Sequence, residues 1–437
     1  MNDEIEKRVT RKIFWRLLPL LIFLYIVSYL DRVNIGFAAL TMNADIGLST
    51  AVFGWGAGLF FIGYCLFEIP SNLMMVRVGA RRWIARILLT WGFIATCMAL
   101  VQGAGSFLAL RFLLGVAEAG FFPAVVLYLT LWFPARYRGR IIATFMLSIP
   151  ISLAIGAPVS TTLLELDGVL GLKGWQWLYI IEGIPGLLLV GVVLKYLPDS
   201  PAQALWLTDA ERQWLSRELD QDVRANPPMI GGHASLWAVL RSPAILVLCA
   251  IYFCVAATNL GLSMFLPQII RQQGYTGIAI GFVAAIPYVV GCVGMVALGY
   301  LSDRFNRRRA FVIVALLFLA GGLWLAGRVP GSQVAIIGMC AATVGMMGFK
   351  GPFWPLPARY LSGTSAAAGI AMINSVGNLG GFFGPGLVGM AKDLTGNFES
   401  GLYVLASLAL LALGLTLAFV SDEPPSDKSP VGEAARG

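Results

Sequence analysis

The sequence predicts an all-α membrane protein: twelve transmembrane helices arranged as two pseudo-symmetric six-helix bundles. Three observations carry this expectation. Of the 437 residues, 58% are hydrophobic and only 12% are charged, a balance outside that of soluble globular chains. Apolar runs of about 20 residues recur along nearly the whole chain, the length a helix needs to cross hydrocarbon about 30 Å thick. Basic residues gather in alternate connections between these runs, the pattern that orients helices with their basic ends in the cytoplasm.

The runs fall at roughly 16–40, 52–75, 84–103, 106–131, 140–164 and 175–197 in the first half, and roughly 243–269, 278–300, 310–328, 333–357, 366–391 and 400–420 in the second. Lys7, Arg8, Arg11, Lys12 and Arg16 precede the first run, and Arg77, Arg81, Arg82 and Arg86 follow the second. Arg136, Arg138 and Arg140 follow the fourth, and Arg304, Arg307, Arg308 and Arg309 follow the eighth. The intervening connections, such as Asn43 to Thr50 and Gln102 to Ser106, carry almost no Lys or Arg. Both termini are therefore expected in the cytoplasm, in an inner membrane of bacterial type. The first run follows a basic segment as a signal peptide would, but it has no small-residue cleavage pattern and continues into "YLDRVNIG", so it reads as a retained helix.

Residues 1–197 are expected to form the first bundle, 198–242 a cytoplasmic connection, 243–420 the second bundle and 421–437 a cytoplasmic tail. Within the connection, Thr208 followed by Glu211 has the spacing of a capping box, opening a short amphipathic helix expected on the membrane face. "PARY" occurs at Pro134 to Tyr137 and at Pro357 to Tyr360, 223 positions apart, and the same offset relates Arg81 to Arg304. A shared offset at the cytoplasmic ends of equivalent spans is the mark of a parallel six-helix repeat.

The formal charge of +8 does not point to nucleic acid, because the cations sit where membrane topology puts them. All six cysteines fall inside predicted spans without a C-x-x-C pair, and His233, the only histidine, lies in the connection. A metal centre or a histidine-based catalytic triad has nothing to build on, so neither an enzyme nor a cofactor is expected. ATP-driven transport lacks its phosphate-binding loop. A membrane-embedded sensor would usually carry a larger soluble domain.

Ionisable side chains inside spans are costly and are functional candidates by default. Here they are Asp31, Arg32, Glu68, Arg111, Glu118, Glu182 and Lys350. At the helical rise, Asp31 lies about 22 Å from the inner face, and Arg111 and Glu118 lie about 8 and 18 Å from the outer face. Arg111 and Glu118 are two turns apart on one helix face. The competing reading is a set of buried ion pairs that hold helices together, but such pairs are often no more stable than apolar replacements. The repeat offers a control: Cys254, Val334 and Ala341 stand 223 positions after Asp31, Arg111 and Glu118. At these matched positions only the first half is charged.

"GYLSDRFNRRR" (299–309) resembles the signature loop of the major facilitator superfamily. "YLDRVNIGFAALTMN", "IGYCLFEIPSNLMM", "GARRWIAR", "RFLLGVAEAGFFP", "LYLTLWFPAR" and "LPDSPAQALWLT", in this order, resemble its anion:cation symporter family, over residues 14 to 420. The resemblance implies two halves rocking about a central site and import of an organic carboxylate together with protons, with tartrate, phthalate, 4-hydroxyphenylacetate and sugar acids as the nearest substrate groups. A small hydroxylated or dicarboxylic acid such as tartrate is the first expectation, an aromatic acid the second, and a drug or cation antiporter the reading from another class. The expected partners are a small organic anion, protons and lipid, with no nucleic acid, and the expected state is a monomer.

Arg offers a planar fork that matches a carboxylate in a low-dielectric site, which makes Arg32 and Arg111 the substrate-binding candidates. A coupling carboxylate must change protonation state. Asp31 and Glu118 are the candidates, and the family pattern implies the same pair. Asp31, beside Arg32 in sequence, is expected to stay ionised until its pair with that arginine is disturbed. Tyr64, Phe122, Tyr128, Tyr288, Trp354, Asn374 and Asn378 are candidates for the uncharged part of the substrate, with helix packing as the competing role of each aromatic. The asparagines share a glycine-rich helix whose glycines equally suit close helix contact. Lys350 stands among Pro352, Pro355 and Pro357, where broken backbone at membrane depth lines a cavity. It is read either as a second carboxylate site or as a lysine snorkelling to the cytoplasmic surface. Glu68, Arg81, Arg82, Asp303, Arg304, Arg307 and Arg308 are expected to form a cytoplasmic gate, and Glu182 to be an interfacial or packing charge.

Overall fold

The computed structural model describes residues 2–225, 242–357 and 363–421. It is almost wholly helical, with no strand among the described residues. Eleven stretches among them are long and apolar enough to cross a membrane, and a further helix over Gly363–Thr395 occupies the place of the remaining predicted span. The multi-pass expectation is met. Large apolar side chains are exposed along these helices, including Ile69, Val76, Leu188, Phe282 and Val293, as lipid-facing surfaces require.

The first span is α1 (Asn2–Asp45). At 1.5 Å per residue it is about 65 Å long, twice the hydrocarbon thickness, so it begins well before the membrane. It starts fourteen residues earlier than the apolar run alone indicates because its basic first turns are also helical. The second and third spans are α2 (Thr50–Val78), whose first turn is capped by Ser49, and α3 (Ala80–Cys97).

The fourth span is broken into α4 (Ala104–Glu118) and α5 (Phe121–Thr130). Apolar periodicity alone predicts one helix over 106–131. The break follows from Pro123, which has no N–H to donate to the carbonyl of Ala119, and from Gly120, whose φ of 83° is left-handed. The fifth span bends between α6 (Ala135–Met146) and α7 (Ser148–Leu164), where Pro150 likewise removes a donor. The sixth span is α8 (Gly174–Tyr196).

Then comes α9 (Asp209–Ala225). Its capping box is as expected: the Thr208 N–H donates to Glu211 Oε2 at 2.9 Å, and the Glu211 N–H to Thr208 Oγ1 at 3.3 Å. Three of its carboxylates are engaged with the first bundle. Glu211 pairs with Arg8 and Lys12 of α1, and Glu218 and Asp222 pair with Arg136 and Arg138 of α6.

The later helices are α10 (Pro243–Gln272), α11 (Ile278–Phe305), α12 (Arg308–Arg328), α13 (Gln333–Gly348), the single turn α14 (Lys350–Phe353), α15 (Gly363–Thr395) and α16 (Glu399–Phe419). The chain forms two compact units, 1–229 with 263–285, and 230–262 with 286–437. Thus α9 and the hairpin joining α10 to α11 belong to the first. His233 and most of "PARY" at 357–360 lie outside the described residues, as do residues 422–437 of the tail.

Within each unit, small residues set the helix crossings. In the first, a Cβ on Gly63 would meet Phe112 O at 2.4 Å and one on Gly115 would meet Phe60 O at 2.0 Å, so α2 and α4 touch backbone to backbone. In the second, a Cβ on Gly291 would meet Thr343 O at 3.0 Å, bringing α11 to α13, the corresponding second and fourth spans. Close approach through small residues is how membrane helices associate where no hydrophobic effect drives them.

Candidate functional site

In the first unit, α1 presents Ser28 and Arg32 four positions apart and therefore on one helix face. Glu118, on the last turn of α4 just before the break, receives both. Arg32 Nη2 lies 2.6 Å from Glu118 Oε1, and Ser28 Oγ donates to the same oxygen at 2.7 Å. The carboxyl is buried, with 1% relative exposure, while the Arg32 side chain keeps 13%. Glu118 Oε2 is buried without a partner.

Arg32 also lies over aromatic rings. Its guanidinium carbon is 5.3 Å from the Tyr64 centroid, 5.5 Å from that of Tyr29 and 5.2 Å from that of Phe60. Arg111 stands 5.2 Å from the Phe60 centroid as well, so two cations share one ring, whose face attracts positive charge. Arg111 is fully buried and donates from Nη2 to the carbonyl of Ala57 at 3.1 Å. No carboxylate forms an ion pair with it among the described residues. Arg32, Arg111, Glu118 and Tyr64 are thus brought together.

Asp31 does not pair with Arg32, contrary to the expectation from their adjacency. Neighbours on a helix diverge by about 100° around the axis and do not face one another. Asp31 instead faces Asn34, whose Nδ2 donates to Asp31 Oδ1 at 3.4 Å, and its Oδ2 is buried without a partner. Glu182 on α8, expected as an interfacial or packing charge, is buried: it has 6% exposure, accepts from Ser160 Oγ at 2.8 Å and keeps a partnerless buried Oε2. Its position after "GWQWLYI" near a span end hid this, because apolar pattern does not reveal which helix face is packed.

Tyr128 is not part of this cluster. Its hydroxyl donates to Pro198 O at 2.7 Å and its ring packs on Trp132, which stacks on Trp206. Phe122 packs against Tyr25 and Phe145. At the start of α3, Asp199 accepts from the Arg81 backbone N–H at 2.8 Å and so caps that helix. Arg82 is exposed, and Glu68 is half-buried with no ion pair among the described residues.

In the second unit, Asp303 pairs with Arg308 at 3.1 Å, while Arg304 and Arg307 are exposed. Lys350 begins the single turn α14 where the tenth span breaks, and no carboxylate pairs with it among the described residues. Trp354 lies 5.0 Å from Tyr252, which stacks on Phe353 at 5.5 Å. A Cβ on Gly377 would meet the Tyr252 ring at 2.0 Å, so the glycine between half-buried Asn374 and Asn378 makes room for it. Tyr252 was not legible as a site residue, since one aromatic in an apolar span carries no distinguishing signal. Tyr288 is buried on α11 beside Pro287, whose carbonyl accepts from Thr343. No group of His, Cys, Asp and Glu suited to a metal is present among the described residues.

The Major Facilitator Superfamily model matches residues 21–385 and 248–436. An Agrobacterium vitis protein that bears a tartrate-transporter name is 47% identical over 424 residues, 97% of this chain and 94% of its own. A quinolone resistance transporter of Acinetobacter baumannii is 44% identical, covering 94% of this chain and 95% of its own. Among solved structures, a bacterial homologue of the human lysosomal transporter Spinster aligns with a TM-score of 0.76 at 18% identity, over 94% of this chain and 98% of that one.

Proposed function

Because the chain belongs to the major facilitator superfamily and is a transporter rather than an enzyme, we propose that it imports a small organic carboxylate, tartrate or a close hydroxylated dicarboxylate, driven by protons. The proposed setting is a bacterial inner membrane with both termini cytoplasmic, and the coupling ion is the proton alone, with no cofactor. The observation that carries this reading is the Arg32–Glu118 pair.

With Glu118 ionised, the Arg32 charge is already balanced. Protonation of Glu118 removes that balance and releases a guanidinium whose planar fork suits a carboxylate. Proton and substrate then favour each other's binding, and by linkage the coupling is reciprocal. Substrate and proton therefore travel together. Asp31, with its partnerless oxygen, is the second proton carrier. Arg111 holds α4 to α2 through Ala57 O and keeps Phe60 beside Arg32. It becomes a substrate ligand only if the helices part, since it is fully buried. Lys350, Trp354, Asn374, Asn378 and Tyr288 are the second unit's binding candidates. Glu68, Arg81 and Arg82 in the first unit, and Asp303 with its arginines in the second, are the gate candidates. Tyr128 is best read as packing.

The test is uptake of a panel of aromatic and hydroxylated acids into proteoliposomes under an inward proton gradient, with Glu118→Gln in parallel. Accumulation of tartrate by the wild type, with exchange but no accumulation in the variant, supports the reading. Undiminished accumulation in the variant would refute it. Drug export is the second reading, favoured by the quinolone-resistance relative. It requires that quinolone uptake follow a gradient of the opposite sign, acid inside.

A further inference from the structure

The cytoplasmic end of α1 carries two adjoining grooves on one helix. The upper, of about 910 Å³, is lined by Lys7, Arg8, Arg11, Lys12 and Arg16 together with Glu4, Glu211 and Trp15. The lower, of about 410 Å³, is lined by apolar side chains from Phe14 to Ile26 and shares Trp15 with the first. Trp15 is 67% exposed at the junction. Glu211 does not neutralise the upper groove, because Arg8 and Lys12 already hold it, at 3.3 and 2.8 Å. Arg11 and Arg16 are exposed and form no ion pair among the described residues.

Lengths set the register. From Trp15 to Ile26 the helix rises about 16 Å, close to the ~15 Å of hydrocarbon in one leaflet. From Lys7 to Trp15 it rises about 12 Å, a headgroup layer's depth. Tryptophan favours the boundary between the two. The geometry points to a binding site for an anionic phospholipid of the cytoplasmic leaflet. Arg11 and Arg16 hold the headgroup phosphate, and an acyl chain lies along Pro19, Ile22, Phe23 and Ile26. Zwitterionic lipid offers the same chain but no net charge to the cations, so occupancy is selective.

The test is native mass spectrometry of the transporter, released from detergent with phosphatidylglycerol or phosphatidylcholine added, alongside the Arg11→Gln/Arg16→Gln double variant and Arg217→Gln as a single-charge control at an exposed position of α9. Phosphatidylglycerol should outbind phosphatidylcholine, and the double variant should lose about thirty-fold of that affinity, about fivefold for each cation, while Arg217→Gln stays within twofold of wild type. Melting curves of each variant without lipid separate loss of the site from loss of the fold. Equal binding of the two lipids, or equal loss in the control, overturns the proposal. So does competition by inorganic phosphate or glycerophosphoglycerol as effective as the intact lipid, which would mark a soluble-anion pocket instead.

Discussion

Arg32 Nη2 and Glu118 Oε1 lie 2.6 Å apart across 86 positions of chain, and Ser28 shares the same carboxyl oxygen. Only the packing of α1 against the end of α4 makes this pair. Its second consequence is that Asp31 is left to Asn34, on a different face of the same helix. Two acids that look equivalent in sequence are therefore separated into one with a cation and one without.

Removing one member of that pair should be costly. Glu118→Ala leaves a largely buried guanidinium without its counter-ion, a change that destabilises by about 3–5 kcal/mol in comparable sites. The double variant Arg32→Met/Glu118→Leu should recover most of that stability, read by thermal denaturation in detergent, and yet be inactive in uptake. Recovery of transport with stability would mean that the pair is scaffold.

Substrate affinity should rise on acidification. If Glu118 protonation frees Arg32, the dissociation constant of tartrate falls on acidification, by at most about tenfold per pH unit for one proton bound with each substrate. In Glu118→Gln it should be tight and flat with pH, as isothermal titration would register. A wild-type constant independent of pH would remove the coupling mechanism.

Gly120 should be intolerant of alanine. A Cβ there would stand 2.5 Å from Ser71 Oγ, and φ is +83°. Gly47 is the control, with φ of +68° and nothing within 4 Å. Gly47→Ala should lose only the left-handed backbone term, about 1–2 kcal/mol, and Gly120→Ala clearly more. Equal melting shifts would show that Ser71 moves aside freely.

The α9 clamp should weaken in acid. Burial works to raise the Glu211 pKa, but hydrogen bonds from Lys12 and the Thr208 N–H and the charges of Lys12 and Arg8 outweigh it, holding the carboxyl below its ordinary value. A depressed carboxyl contributes stability that is complete above its unfolded pKa of about 4.3 and is lost as pH falls through the lower folded value. Glu211→Gln should therefore lower the denaturation midpoint more at pH 6 than at pH 3. A loss of the same size at both values would point to packing.

Lys350 should discriminate by charge number. With no carboxylate paired to it among the described residues, Lys350→Gln should weaken binding of a dianion about tenfold or more, the scale of a charged hydrogen bond, and leave a monoanion within twofold. No effect on either would assign it to the surface, and equal weakening of both would remove the preference for a dianion.

The sequence by itself determined the class of molecule. Apolar runs of membrane length, cations in alternate loops, the 223-residue offset and the Thr208–Glu211 cap are local or periodic signals, and each is governed by chemistry acting within a few turns. It also supplied the short roster of charges in the first half, because an ionisable group in hydrocarbon is conspicuous wherever it stands. Tertiary structure decided how those charges are shared: Glu118 rather than Asp31 for Arg32, a backbone carbonyl for Arg111, burial for Glu182, and Pro198 for Tyr128. It also decided where the fourth span breaks and that α9 is bolted to α1 and α6. Such choices depend on which helix faces meet, and helix rotation and crossing are fixed by close contacts such as Gly115 on Phe60, between positions tens of residues apart.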